Sequence, residues 1–405
     1  MKILFLSLVK LESLEQRGIY SDLLRELVNR GHHITAVTPL ERRDKKRTKI
    51  TRSSNFVNLQ VRTLNIQKVN VLEKGMGMVL LSKQFYRAMK KHQAHTDYDL
   101  ILYSTPPITL YELIARIKKQ TKAATYLLLK DIFPQNAVDM GMMRKGGLLH
   151  SYFSSIEKKL YQISDHIGCM SPANVEFIKK HHPYISISKI HVNPNSIEPL
   201  YEIESSIDKY GLRAKYGLPQ NKLLLVYGGN LGKPQGIEFL VEILEKYKGN
   251  QVHFLIVGGG LQYEQLKRWF KQADPSYATL INTLPKLEYD LLLSACDVGL
   301  IFLSENFTIP NYPSRLLSYL EMGMPVISST DVNTDVGVVL EDWECGYNIT
   351  SGDHKSFFES LEILVNDEGL RDLYSSNARK LLLSQFTVER SVDILEGTVD
   401  RVKHV

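Results

Sequence analysis

Two successive doubly wound α/β units, each built on a parallel sheet, are predicted by three observations. Continuous apolar runs of strand length alternate with segments whose apolar residues recur at helical spacing. The alternation stops at a turn cluster, Asn193-Pro194-Asn195 with Pro199, and then starts again. In the second half, runs of glycine directly follow two of the apolar strands.

In the first half, Ile3–Val9 reads as a strand buried on both faces. Tyr20–Arg30 follows as a helix with Leu23, Leu24, Leu27 and Val28 on one side, and Gly31 stops it. Further strands are expected at His33–Thr38, Asp99–Ser104, Ala124–Leu129, His166–Ser171 and Lys189–Asn193. A polar stretch to about Gly217 reads as linker. The second half gives strands at Lys222–Tyr227, Val252–Val257, Thr279–Asn282, Val298–Leu303 and Val326–Ser329. Helices are expected between them at Ile237–Tyr247, Leu261–Gln272, Tyr289–Ala295 and Ser314–Met322. The expected domains are residues 1–195 and 196–386. A last amphipathic helix within 387–405 is a candidate to pack back on the first domain.

Composition narrows the classes. No apolar run approaches the roughly 20 residues of a spanning helix, and the short stretch before Lys10 lacks a small-residue cleavage site, so no secretory leader is expected. Cys169, Cys296 and Cys345 are odd in number, far apart and set in apolar surroundings, which reads as buried thiols. No Cys/His cluster has metal-ligand spacing, and no Asp-x-Asp pair stands where a diphosphate-bound cation would be held, so no metal or cofactor is expected. The net charge of +6 divides into +15 over residues 1–200 and −9 over residues 201–405. Such an asymmetry points to a partner surface. Nucleic acid is disfavoured, because no helix-turn-helix, zinc finger or aromatic-interleaved basic strand accompanies the charge. Val69–His95 joins an apolar side to Lys74, Lys83, Arg87, Lys90 and Lys91. It reads either as a helix facing an anionic membrane or as one packed on the sheet.

Candidate chemistry gathers in the second half. Gly228-Gly229-Asn230-Leu231-Gly232 and Gly258-Gly259-Gly260 each follow a strand, where backbone N–H groups can approach a phosphate. Neither is a Walker loop nor a dinucleotide fingerprint. The segment Phe307–Val326, FTIPNYPSRLLSYLEMGMPV, holds Pro310 and Pro313 in a rigid loop, Ser314 at a helix start, Arg315 beside it and Glu321 two turns on. A hydroxyl, helix N–H groups and an arginine can hold an anion, and a carboxylate can hold a ribose diol. The alternative is a capped helix with a surface glutamate.

This segment resembles the signature of the family 4 retaining glycosyltransferases of the GT-B fold. In that signature two glutamates stand eight positions apart before a small-residue turn and Pro-Val. Glu321, Gly323, Pro325 and Val326 match its second half, and Pro313 stands where the first glutamate would be. The family's Gly-Arg-Leu and Lys-Gly appear here as Gly229-Asn230-Leu231 and Gln235-Gly236. These departures, with Lys130-Asp131-Ile132-Phe133-Pro134 and Gly141, resemble bacterial transferases of N-acetyl-fucosamine and related 6-deoxy aminosugars in capsule and O-antigen synthesis.

The resemblance implies two Rossmann-like domains facing a cleft. It implies a UDP-sugar donor in the second domain, a lipid-linked saccharide acceptor, retention of configuration, and a cytoplasmic chain peripheral on the inner face of the plasma membrane. Lys233 and Arg315 are then the cations for the leaving diphosphate. Gly229, Asn230, Gly258, Gly259, Pro313, Ser314 and Glu321 are its expected donor contacts. Asp131 is either the acceptor-side acid or base or a helix cap. Lys130 stands beside it in the same motif, and Gly18 would allow a substrate close approach or is an ordinary turn glycine. Two other readings stay open: a nucleotide-sugar 2-epimerase of the same fold, and a catalytically inactive subunit that stabilises another transferase.

Overall fold

The computed structural model describes residues 1–66, 71–94, 97–200 and 208–403. It divides into unit 1, Met1–Glu198 with Thr387–Val405, and unit 2, Pro199–Phe386.

Among the described residues, unit 1 carries eight strands: β1 (Lys2–Leu6), β2 (His33–Glu41), β3 (Lys49–Arg52), β4 (Phe56–Thr63), β5 (Leu100–Ser104), β6 (Ala124–Leu129), β7 (His166–Cys169) and β8 (Ile190–Val192). Their order across the sheet is β3-β4-β2-β1-β5-β6-β7-β8. All pairs are parallel except β3 with β4. The helices are α1 (Ile19–Asn29), α2 (Val71–Lys91), α3 (Tyr111–Thr121), α4 (Gln135–Asp139), α5 (Leu148–Ile163) and α6 (Pro172–His181). Central β1 is the continuous apolar run, with Ile3, Leu4, Phe5 and Leu6 all buried. It ends at Leu6, short of the expected Val9, and Val9 is 51% exposed. The β3–β4 pair was not expected. Its strands alternate apolar and polar residues (Lys49-Ile50-Thr51-Arg52, then Phe56 to Thr63), as suits a sheet edge that is covered on one face only.

Unit 2 carries β9 (Leu223–Asn230), β10 (Val252–Gly259), β11 (Ala278–Ile281), β12 (Val298–Phe302), β13 (Val326–Thr330) and β14 (Gly346–Thr350) in the order β11-β10-β9-β12-β13-β14. Every pair is parallel. Its helices are α7 (Lys209–Lys215), α8 (Ile237–Lys246), α9 (Tyr263–Ala273), α10 (Lys286–Leu293), α11 (Arg315–Glu321), α12 (Val336–Asp342), α13 (His354–Asn366) and α14 (Glu368–Gln385). Its core joins Leu225, Tyr227, Phe254 and Phe302 from the sheet to Phe239 and Leu240 of α8 and Phe357 of α13.

The C-terminal helix α15 (Val388–Lys403) returns to unit 1. Its Val392, Leu395 and Val399 share one core with Phe5, Leu23, Leu24 and Leu27. Arg30 Nη1 lies 2.6 Å from Asp393 and 2.8 Å from Glu396, and His32 Nε2 lies 2.7 Å from the other Glu396 oxygen. The three cysteines are buried and unpaired.

Candidate active site

In unit 2 the glycine segments begin as strand, through Asn230 in β9 and Gly259 in β10. The β9–β10 ladder runs on through Gly258 opposite Gly229 and Gly259 opposite Asn230. A Cβ at Gly258 would lie 1.9 Å from the Gly229 carbonyl oxygen, and one at Gly260 would lie 2.3 Å from that of Leu231. These two glycines are required by close backbone approach. Gly229 differs. Its φ is +119°, it is exposed, and a Cβ there would meet only the Arg315 guanidinium, at 3.6 Å.

Arg315 is the centre of the arrangement. Its guanidinium carbon lies 4.2 Å from the centroid of the Tyr227 ring. Its Nη2 donates to Gln235 Oε1, and its Nη1 is buried with no hydrogen-bond partner. An unpartnered buried guanidinium nitrogen is costly to leave so, and such a charged donor bonds strongly to an anion's oxygen that reaches it. Tyr227 Oη donates to the Asn230 carbonyl at 2.9 Å, which ties the ring under Arg315 to the Gly229–Asn230 turn. One turn after Arg315, Tyr319 Oη accepts from Gly228 N–H at 3.0 Å and lies 3.1 Å from the Val226 carbonyl. That hydroxyl fixes α11 against β9. Lys233 begins the 3₁₀ turn Lys233–Gln235 and is exposed, so a second cation stands on the segment that carries Gln235.

Ser314 and Glu321, two expected donor contacts, bracket α11. Ser314 does not cap α11 with its hydroxyl. Its backbone is already helical, the side chain is exposed, and the turn begins from the Pro313 carbonyl, which accepts Leu316 N–H at 3.2 Å. Glu321 is 1% exposed, and its Oε1 accepts Leu200 N–H at 3.0 Å. Its main-chain oxygen accepts from Arg379 Nη1 of α14 at 2.9 Å. Six residues along a helix turn a side chain about 120° away from Arg315. One oxygen of the carboxylate expected on a ribose is thus bonded to the protein's own backbone. Gly323, at φ +61°, ends the helix in the left-handed conformation.

In unit 1, Lys130 and Asp131 follow β6. Thr105 Oγ1 accepts Lys130 N–H at 3.2 Å and donates to the Asp131 carbonyl at 3.1 Å. Asp131 Oδ2 accepts from Asn136 Nδ2 at 2.6 Å. The carboxylate is half-buried and fixed toward the start of α4. Lys130 Nζ donates to the Asn193 carbonyl at 3.3 Å, and burial lowers its amine to about 7. Gly18 precedes α1 with extended backbone, and its N–H donates to Asp22 Oδ1 at 3.0 Å, so that amide is already used.

Sequence reasoning singled out Arg315, Gly229 and Asn230, and the structure brings them together. It missed Tyr227, Tyr319 and the active part played by Gln235. The one available signal was Gln235 standing where the resembled family has a lysine. Among the described residues no group of three or more His, Cys, Asp or Glu side chains could hold a metal ion.

The chain matches the family description "Glycosyltransferase Family 4" over residues 20–199 and "Glycosyl transferases group 1" over residues 208–381. With its two parallel-sheet domains, it is a glycosyltransferase of the GT-B fold. A relative named "Probable glycosyltransferase WbjE" from Pseudomonas aeruginosa is 19% identical, over 71% of this chain and 70% of its own length. The "Putative colanic acid biosynthesis glycosyl transferase WcaI" of Escherichia coli strain K12 is 23% identical, over 75% of this chain and 71% of its own. Among solved structures, sucrose-phosphate synthase from Thermosynechococcus elongatus superposes with a TM-score of 0.74 at 14% identity, covering 100% of both chains. Anabaena HepE in complex with UDP superposes with a TM-score of 0.69 at 16% identity, covering 99% of this chain and 100% of its own.

Proposed function

We propose that the chain transfers a sugar from a UDP-sugar to a lipid-linked saccharide, with retention of configuration and without a metal, in the building of a bacterial surface polysaccharide. The single observation that carries this is the Arg315 guanidinium, held by Tyr227 and Gln235 with its Nη1 unpartnered and its Nη2 turned to the exposed Gly229. The WcaI name supports a polysaccharide product, and the UDP in the HepE complex supports uridine as the nucleotide. An N-acetylated 6-deoxy aminosugar is the proposed group, on the resemblance of the Lys130–Pro134 and Asn230–Gly236 segments.

In the transfer, the bond from the anomeric carbon to the diphosphate oxygen breaks and a bond from that carbon to an acceptor hydroxyl oxygen forms. The acceptor's proton passes to the departing diphosphate on the same face. Negative charge grows on the leaving oxygen, and fixed donors aimed at it lower the barrier. Arg315 supplies the main charge, Lys233 a second one and the Gly229–Asn230 turn the polar wall. Asp131 is assigned to the acceptor, as an acid or base or as its positioner. A chain serving such an acceptor gains from attachment to the inner, anionic face of the plasma membrane, through the basic Lys83, Arg87, Lys90 and Lys91 of α2. Residues 69, 70 and 95 of that stretch lie outside the described residues.

The test is a panel of UDP-, GDP- and dTDP-sugars incubated with the chain and lipid-linked saccharide, with and without EDTA. The expected result is consumption of one UDP-sugar and a new α- or β-glycoside that keeps the donor's configuration, insensitive to EDTA. An epimerised donor without a glycoside would establish the epimerase, and no reaction with any donor would favour the inactive subunit.

A further inference from the structure

We infer that unit 1 docks on an anionic lipid bilayer through apolar side chains at the starts of α2 and α5, which enter the headgroup region while neighbouring cations meet the lipid phosphates. The inference deepens the reading above and rests on it, since a lipid-linked acceptor is what would bring the chain to a membrane.

The first observation is at α5. Leu148, its first residue, is 93% exposed, and Leu149, Met142 and Tyr152 around it are 63%, 54% and 49% exposed. Large apolar side chains clustered this openly mark an interaction surface. No acidic residue occurs between Asp139 and Glu157, while Arg144 and Lys145 are exposed within the cluster. The second observation is at α2. Met76, Val79 and Leu80 are 59%, 44% and 39% exposed, and the exposed Lys83 and Arg87 continue the same face.

The topology places the two clusters together. α3 packs against both α2 and α5, and the 3₁₀ turn Ile108–Leu110 also touches both, so they share one face of the sheet. Each returns the chain to the start of a parallel strand, β5 and β7, and therefore runs against the strand direction. Their first turns lie toward the carboxyl edge of the sheet. The segment after β2 leaves from that same edge, and there Arg42, Lys45, Lys46 and Arg47 are exposed. Apolar side chains among cations that outnumber the nearby carboxylates Asp44 and Glu73 fit an anionic bilayer; a protein partner of ordinary composition would need no such one-sided charge. Attachment by insertion differs from attachment by charge alone, because part of it survives salt.

The experiment uses the full chain with phosphatidylcholine–phosphatidylglycerol vesicles and with pure phosphatidylcholine vesicles. The native tryptophans, Trp269 and Trp343, both lie in unit 2, so Leu149→Trp places a reporter in unit 1. Its emission should shift to the blue with the anionic vesicles and keep part of that shift at high salt. Leu148→Ser with Leu149→Ser should lower vesicle binding by roughly tenfold or more. UDP binding should be unchanged in both variants, which checks the fold. Unchanged vesicle binding by the double variant, no shift at position 149, or no vesicle binding by the unaltered chain would each overturn the inference. So would a dimer in the absence of lipid that the double variant abolishes, which would assign the face to a second copy. Transfer to a detergent-solubilised lipid acceptor without vesicle binding would sink the docking surface and leave the acceptor reading standing. Vesicle binding without any transfer to a lipid-linked saccharide would do the reverse.

Discussion

The guanidinium of Arg315 lies 4.2 Å over the ring of Tyr227, joining the first turn of a short helix to the end of a central strand. Such a contact is worth about 2 kcal/mol when desolvated. It holds a long side chain in one place before any anion arrives, so less ordering remains to be done on binding.

Gln235 completes that hold by accepting from Arg315 Nη2. Gln235→Leu should leave the arginine's charge in place and loosen its direction. A hydrogen bond to a charged group is worth about 1.5–3 kcal/mol, so donor affinity should fall by roughly tenfold while the melting temperature changes little. Restored affinity in Gln235→Glu, whose oxygens can also accept, would identify the bond to Arg315 as the cause. Unchanged affinity in Gln235→Leu would separate Gln235 from the donor.

The sequence made the strands of both sheets legible where they were buried on both faces, as with Ile3 to Leu6 and Val298 to Phe302. The edge pair β3–β4 escaped because its apolar residues alternate with lysine, arginine and asparagine. The site was legible in part, because Gly229 and Arg315 stand in local patterns. Gln235 and Tyr227 act through contacts 80 or more residues away in the chain, which no local pattern reports. The burial of Glu321 was not legible, because a helix's phase, not the residue type, decides which face a carboxylate occupies.

Glu321 gives the second prediction. Its carboxylate is buried and bonded to Leu200 N–H. Truncation leaves that backbone donor unsatisfied and opens space beside α14, at a cost of about 1–3 kcal/mol. Glu321→Ala should lower the melting temperature by several degrees and leave the UDP dissociation constant within twofold or so at a temperature where both proteins are folded. A large loss of UDP affinity with unchanged stability would return this residue to the ribose.

Asp131 gives the third. Its carboxylate is held by Asn136, and it stands in a different unit from Arg315. Asp131→Asn should lower kcat by about 100-fold or more and leave UDP affinity unchanged. Steady-state kinetics beside UDP titration would check both halves. An unchanged kcat would leave Asp131 as a structural cap.

Lys130 gives the fourth, in pH. Burial lowers its amine to about 7, against about 10.4 for a free lysine. Between these values the unfolded chain holds the proton and the folded chain does not. Stability contributed by this group therefore rises as pH climbs from 7 toward 10, and the cost of burying the charge is fully felt below 7. The neighbouring Cys169 thiol is pushed up to about 12 by burial and stays neutral across this window. Denaturant midpoints of the chain and of Lys130→Met across pH 6.5 to 9.5, roughly the span between the two pKa values, should differ in slope, with Met the flatter. Parallel curves would mean that Lys130 keeps its proton.

The central claim is that Arg315, beside Gly229, receives the diphosphate of a nucleotide sugar. Its most direct test is calorimetric titration of UDP into the chain and into Arg315→Met, which keeps much of the side chain's volume and removes its charge. Losing one charge-assisted bond to phosphate, worth about 1.5–3 kcal/mol, predicts that the unaltered chain binds UDP and that Arg315→Met binds it roughly 10- to 100-fold more weakly. Equal affinity in the two proteins, with both folded, would contradict the claim.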